Sequence, residues 1–247
     1  MKILVTGNLG YIGSVLVGEL KNLGHVVDGL DVGYFEDCIL SNEIIVNKQI
    51  KKDVRTVSEE DITEYDTVIH LAALSNDPLG ELKPTLTHEI NFLASKRIAE
   101  ICKKKLVKRF IFISTQSIYG ISNSTSELDE NKSVKNPITE YAKTKWLAEQ
   151  EITKLGDNKF TVVSFRPSTV FGSSPRLRSD IVYNNLLGSA FTQNKIKIFS
   201  DGTPWRPVIH VLDLCNAIIS GIDSPKELIN KKSYKRKSTK ATATYYV

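Results

Sequence analysis

Short, β-branched apolar runs alternate along this chain with longer stretches whose apolar positions recur at helical spacing. The runs predict strands at residues 2–6, 25–30, 43–47, 67–71, 109–114 and 160–165, and the stretches predict helices at 11–23, 84–104 and 139–155. Strands that alternate with helices imply βαβ units and a parallel sheet covered on both faces. Val68-Ile69-His70-Leu71 and Phe110-Ile111-Phe112-Ile113 are close to continuously apolar, as strands buried on both sides must be. Beyond Arg166-Pro167 the regularity weakens. Segments 173–180 and 200–208 are rich in Ser, Pro, Gly and Arg, with helical periodicity at 181–191 and 211–222. The expected division is a sheet domain over 1–166, a small second lobe over 167–230 at the C-terminal edge of the sheet, and a basic, poorly ordered tail over 231–247.

Composition narrows the class without changing that picture. The chain has 247 residues, 41% hydrophobic and 25% charged, which excludes collagen-like, low-complexity and wholly disordered classes. No apolar run approaches the roughly 18 residues of a membrane span, and the N-terminus enters a strand directly, without signal-peptide anatomy. The three cysteines, Cys38, Cys102 and Cys215, are scattered and odd in number. They form neither a disulfide framework nor a metal cluster, so the expected location is a reducing cytoplasm. The net charge of +5 suggests nucleic acid until it is located. Six basic residues and no acid lie in 231–247, and without them 27 basic residues stand against 28 acidic ones. A nucleic-acid binder spreads a basic face over its folded elements, so no nucleic-acid partner is expected.

Three local features carry chemistry. Thr6-Gly7-Asn8-Leu9-Gly10-Tyr11-Ile12-Gly13 joins the first strand to the first helix. Glycines there allow a tight turn and close backbone approach to a diphosphate at the helix N-terminus. Asp31 ends the second strand, where an acid accepts from the adenosine ribose hydroxyls and repels a 2′-phosphate. This favours NAD over NADP, although Lys51, Lys52 and Arg55 follow and keep NADP open. Tyr141 and Lys145 stand four apart on a predicted helix and share a face. A lysine so placed eases ionisation of the phenol, and a phenolate can accept a proton from a substrate hydroxyl. Ser114-Thr115-Gln116-Ser117 leaves the 109–114 strand at its carboxyl end, the side on which open α/β sheets bind ligands. A hydroxyl there can donate to a developing carbonyl oxygen.

Together these residues resemble the extended short-chain dehydrogenase/reductase family in its NAD-dependent nucleotide-sugar epimerase/dehydratase branch. Thr6–Gly13 matches T-G-x-x-G-x-x-G, His70-Leu71-Ala72-Ala73 matches H-x-A-A, and Asn91 matches a helix asparagine. Ser114–Gly120 matches S-[ST]-x-x-V-Y-G, Tyr141–Lys145 matches Y-x-x-x-K, and Arg206–Asp213 matches R-x-x-x-H-V-x-D. The resemblance implies a Rossmann-type doubly wound sheet that holds NAD, with a small lobe that holds a nucleoside-diphosphate sugar. It implies that Tyr141 is the base, Lys145 its electrostatic partner and Thr115 the hydroxyl donor. It also implies cofactor contacts from Gly7, Gly10, Tyr11, Ile12, Gly13, Asp31, Asp53, Val54, Leu71, Ala72, Ala73, Asn91 and Pro167, besides Tyr141 and Lys145. Substrate contacts would come from Ser75, Asn76, Asp77, Thr115, Gln116, Ser117, Asn185, Leu186 and Arg206.

The reaction so implied is oxidation at C4 to a 4-keto sugar, with epimerisation when hydride returns to the other face. Gln116 and Ser117 replace the Asp-Glu pair of the 4,6-dehydratases, which disfavours dehydration. A net C4 dehydrogenase or reductase, a dehydratase of the same family, and a catalytically impaired NAD-binding protein with a truncated substrate lobe remain as other readings. Family members continue past the position of Ile229-Asn230, so a shortened substrate lobe is expected. Pairing of the helices at 84–104 and 139–155 across a homodimer is expected too.

Overall fold

The computed structural model describes residues 1–41, 45–75, 77–121, 128–198, 201 and 207–235. Six strands build the main sheet in the order expected of alternating units: β1 (Lys2–Thr6), β2 (Val26–Asp31), β3 (Lys48–Lys51), β4 (Thr67–His70), β5 (Arg109–Ile113) and β6 (Thr161–Phe165). Two short strands, β7 (Thr169–Phe171) and β8 (Val208–His210), pair with each other in a separate parallel sheet. A ninth strand, β9 (Lys232–Tyr234), returns to the main sheet beside β6. The main sheet runs β3-β2-β1-β4-β5-β6-β9, and every pairing in it is parallel. The strand order reverses between β1 and β4, so the carboxyl ends of those two strands flank the crevice where such sheets take ligands.

Alternation along the strands divides the core in two. Ile3, Val5, Ile69, Ile111, Ile113 and Val163 face α1 (Tyr11–Asn22) and a later helix. Leu4, Val68, Phe110, Phe112 and Val162 face the opposite helices. These begin with α2 (Asp77–Leu82) and α3 (Pro84–His88), which runs through a π-helical turn at Glu89–Ala94 into α4 (Ser95–Lys104). α5 (Glu140–Leu155) completes this layer. Beyond it lie α6 (Val182–Gln193), α7 (Val211–Asp223) and α8 (Lys226–Ile229). Pro84 starts α3 at its first position, where a missing N–H costs nothing.

Three elements differ from the sequence reading. The strand expected at 43–47 lies at Lys48–Lys51 instead, and residues 42–44 lie outside the described residues. The Ile-Ile-Val run drew the prediction, whereas the true edge strand is polar and pairs with β2 through its backbone. α7 does not belong to a separate lobe. Val211, Leu214, Cys215, Ile218 and Ile222 join the core under β5 and α1. Residues 231–235 are likewise not tail: Lys231 donates to the Val162 carbonyl (2.7 Å), β9 covers the β6 edge, and Tyr234 packs on Phe165. An uncovered β6 would expose a row of unpaired backbone groups. The remainder of the expected tail, 236–247, lies outside the described residues.

Candidate active site

At the crevice the chain leaves β1 through Gly7, whose φ of +75° suits glycine. A Cβ on Gly7 would stand 2.7 Å from the Ala72 nitrogen, so glycine here lets the β1 and β4 ends close together. A Cβ on Gly13 would stand 2.1 Å from the Gly7 carbonyl oxygen. Gly10 caps α1 without a side-chain hydrogen bond, and no acid lies in the first turn. The amides of Tyr11, Ile12 and Gly13 therefore have no intrahelical acceptor and face the crevice side with the positive end of the helix dipole.

Asp31 closes the far side of this turn. Its carboxylate accepts from Leu9 N–H (3.3 Å) and Gly33 N–H (2.9 Å), and burial holds its pKa above the usual carboxylate range. The three cations that kept NADP open are all engaged by acids: Lys51 by Glu36 (2.7 Å), Lys52 by Asp61 (2.6 Å), and Arg55 by Asp53 (2.8 Å) and Glu89 (3.1 Å). Asp53 also accepts from Arg55 N–H, capping the 3-10 turn that buries Val54.

Beyond β4, His70 is a bolt rather than a ligand-facing group. It is fully buried between the Thr6 (2.7 Å) and Ser95 (2.8 Å) hydroxyls, and burial pushes its pKa down to about 3. Leu71, Ala72 and Ala73 follow it, half-buried at the crevice edge. Asn91 is fully buried in the π-helical turn, and its amide is spent on the protein: it accepts from Leu74 N–H (2.8 Å) and donates to Leu74 C=O (3.0 Å). Asn91 thus holds the 71–74 segment through its amide, which also reaches the Thr144 hydroxyl at 3.5 Å.

Thr115, Tyr141 and Lys145 converge from two elements. Thr115 leaves β5 and caps a 3-10 turn at Gln116–Tyr119, accepting from Ser117 N–H (3.1 Å). Tyr141 and Lys145 rise from the first turns of α5, which Thr139 caps by accepting from Ala142 N–H (3.2 Å). Thr115 stands close enough to the Tyr141 phenol to favour its ionised form. Burial raises the Tyr141 pKa; Thr115 and the charge of Arg178 work against that rise, while Asp77 adds to it. Lys145 is 2% exposed, with its ammonium 4.4 Å from the centroid of the Phe112 ring. Burial pushes its pKa down to about 7, opposed by the Glu149 charge one turn away.

On the substrate side the residues are less concentrated. Ser75 meets Arg178, whose guanidinium lies 3.3 Å from its hydroxyl. Asp77 accepts from the Thr139 hydroxyl (2.7 Å) at the start of α5. Gln116 and Ser117 sit beside Thr115, and the Pro167 carbonyl accepts from Gln116 N–H (3.0 Å). Asn185 and Leu186 are on α6, where the Asn185 amide donates to the Ser179 carbonyl (3.1 Å). Asn76 and Arg206 lie outside the described residues. Sequence reasoning missed Arg178, which lacks a motif of its own. A second missed feature is the Tyr11 hydroxyl, which donates to Gly172 C=O (2.7 Å) and ties α1 to the strap carrying Arg178.

A parallel sheet of this order, with a glycine turn and an acid at its switch point and a Thr-Tyr-Lys set on its rim, defines a dinucleotide-dependent enzyme of the Rossmann class. Residues 3–235 match the NAD dependent epimerase/dehydratase family, and the chain belongs to it. It is 31% identical over 240 residues to an uncharacterized UDP-glucose epimerase of Bacillus subtilis (strain 168), covering 91% of this chain and 73% of that protein. A UDP-glucose 4-epimerase of Caenorhabditis elegans is 27% identical over 270 residues, covering 93% and 76%. Among solved structures, MoeE5 in complex with UDP-glucose and NAD superimposes with a TM-score of 0.80 at 26% identity, covering 96% of this chain and 76% of that one. No helix among the described residues is long and apolar enough to cross a membrane.

The cofactor of this family is NAD, and the residues present fit it. The glycine turn is a cradle that a Cβ would fill, and no hydrogen bond or ion pair engages the buried Lys145 ammonium among the described residues. Gly13→Ala should therefore displace the turn and lower NAD affinity at least about tenfold, read by calorimetric titration of the cofactor-free protein. Asp31→Ala should weaken NAD by about tenfold and NADP by much less, narrowing the preference between them in the same titration.

Proposed function

We propose that this enzyme is a nucleotide-sugar 4-epimerase that acts by transient oxidation at C4. The observation that carries the reading is Thr115 near the Tyr141 phenol, one helical turn from a buried Lys145, with Gln116 and Ser117 next to Thr115. Tyr141 takes the proton from the C4 hydroxyl and returns it to the same oxygen later. Thr115 donates a hydrogen bond to that oxygen as it gains carbonyl character. Lys145, one helical turn from Tyr141, is the cation of the pair and, with no hydrogen-bond partner among the described residues, offers its donors to the cofactor ribose. NAD, when bound, supplies the acceptor and donor of the C4 hydride. Gln116 and Ser117 carry no carboxyl group to protonate a leaving hydroxyl, which favours epimerisation over dehydration.

Asp31, with Lys51, Lys52 and Arg55 already paired, supports NAD binding through the glycine turn with Asp53 and Val54 nearby. Arg178, beside Ser75 and paired with Asp180 (2.5 Å), brings a guanidinium within electrostatic reach of Tyr141; a nucleoside diphosphate would bind it by displacing Asp180. Leu93 and Leu147 stand exposed on the outer faces of the π-helical turn and α5, which supports a homodimer through those helices; light scattering at the working concentration tests it.

The deciding experiment incubates the enzyme with NAD and a panel of nucleoside-diphosphate hexoses, following NADH absorbance and resolving the sugars by chromatography. A C4 epimer without net NADH is the expected result. Stoichiometric NADH with a keto sugar would make the enzyme a net dehydrogenase, and a product lighter by one water would make it a dehydratase.

A further inference from the structure

The most deeply buried ion pair among the described residues joins Arg166 to Glu149, one helical turn along α5 from Lys145. Arg166, at the end of β6, is 4% exposed, and its guanidinium donates to both carboxylate oxygens of Glu149 on α5, at 2.5 and 3.0 Å to one and 3.1 Å to the other. It also donates to the Tyr119 hydroxyl (2.7 Å) and the Glu130 carbonyl (2.9 Å), and it stacks on the Trp146 ring. The Ser233 hydroxyl of β9 donates to the same Glu149 oxygen (2.6 Å), and Arg166 N–H donates to the Tyr234 carbonyl (2.7 Å). Separate pieces of chain thus meet on one carboxylate and one guanidinium: α5, the end of β6, β9, Tyr119 and Glu130.

Buried ion pairs contribute little net stability, because desolvation offsets attraction. Their geometric effect is larger: a bidentate Arg–carboxylate contact in a low-dielectric interior tolerates little displacement. Glu149 is one helical turn from Lys145 and two from Tyr141, on the same face of α5. We propose that Glu149 is a positioning residue, clamped by Arg166 and Ser233 so that it fixes α5 on the sheet and sets a negative charge one turn behind Lys145. The inference rests on the reading of Tyr141 and Lys145 as the acid–base pair.

The charges around this unit are few. His70, neutral, and Glu149 face Lys145. Arg166, Lys135 and Glu130 surround Glu149 from the other side. Removing the Glu149 charge therefore leaves the Lys145 ammonium without its favourable partner, and Lys145 should lose its proton at lower pH.

Glu149→Gln in the full chain tests this, because the amide keeps the shape and the Ser233 contact. Turnover should fall about tenfold with KM for the nucleotide sugar within about twofold. The alkaline limb of the pH–kcat profile should move down by about one pH unit. Independently of catalysis, the pH midpoint for acylation of Lys145 by an amine reagent in the cofactor-free protein, read by mass spectrometry of its peptide, should drop by a similar amount. Glu149→Asp should recover part of both effects. An unchanged acylation midpoint with turnover within twofold of wild type overturns the proposal. Should Glu149→Gln fail to fold, Ser233→Ala must lower turnover in the same direction, and a neutral Ser233→Ala overturns the proposal. Lys145→Met assayed alongside separates the two levels: if it retains turnover, the acid–base reading fails, whereas the acylation midpoint still decides the role of Glu149.

Discussion

Tyr141→Phe is expected to lower kcat by about three orders of magnitude while leaving NAD affinity within about twofold of wild type. The ring stays, packed where α2 meets α5: a Cβ built on Gly80 would lie 3.6 Å from the Tyr141 Cβ. Only the hydroxyl, and with it the influence of Thr115 on it, is lost. The pH dependence follows from the charges the chain places there. Burial and Asp77 hold the phenol above its ordinary pKa, and Thr115 and Arg178 offset this only in part. Tyr141 is thus protonated at neutral pH in the cofactor-free protein, and the rate should climb with pH as the loaded site brings it into ionisation. The ascending limb belongs to Tyr141, so the residual activity of Tyr141→Phe should show no such limb. Steady-state kinetics across pH 6–9 checks both points. A variant that keeps the limb would assign it, and the base, to another group.

How much of this site the sequence reveals depends on how local each signal is. The glycine turn, Asp31, Thr115 and the Tyr141–Lys145 spacing are each encoded within a few residues, and the first three lie at or just past the carboxyl ends of parallel strands of one sheet. Asn91 shows the reverse: its environment is set by Leu74, seventeen positions away, which meets its amide at both ends. β9 is a Lys-Ser-Tyr strand held by backbone pairing and by Ser233 on Glu149. It has no apolar alternation to read, and its lysines look like part of a solvated tail. α7 carries a clear apolar stripe, but the stripe does not say which layer it covers; contact with α1 and β5 decides that. Arg166 and Glu149 likewise look like surface residues on a strand end and a helix, and only the approach of β6 to α5 makes them a buried pair.

Lys145→Met is expected to abolish turnover and at the same time stabilise the cofactor-free protein. The two effects have one cause. A lysine that is 2% exposed has lost most of its water, and among the described residues no hydrogen bond replaces it, so burial pushes its pKa from the ordinary 10.5 down to about 7. Folding therefore works against a proton that the unfolded chain holds up to about pH 10.5. Below about pH 7 both states are charged and the full cost applies. Between about 7 and 10.5 the unfolded state binds more protons than the folded one, so stability rises with pH. Above that range both states are neutral and the cost is gone. Methionine fills much the same volume without a charge, so the variant should gain on the order of 2–4 kcal/mol at pH 6–7. That gain should shrink steadily toward pH 10. Urea unfolding of wild type and variant at several pH values measures it directly. An equal stability at pH 6.5 would mean that the ammonium is solvated or paired in the free protein. A gain independent of pH would mean that packing, not charge, accounts for it. The expected pattern, activity lost as stability is gained, is the mark of a strained group retained for its chemistry, and it distinguishes Lys145 from the many surface lysines of this chain.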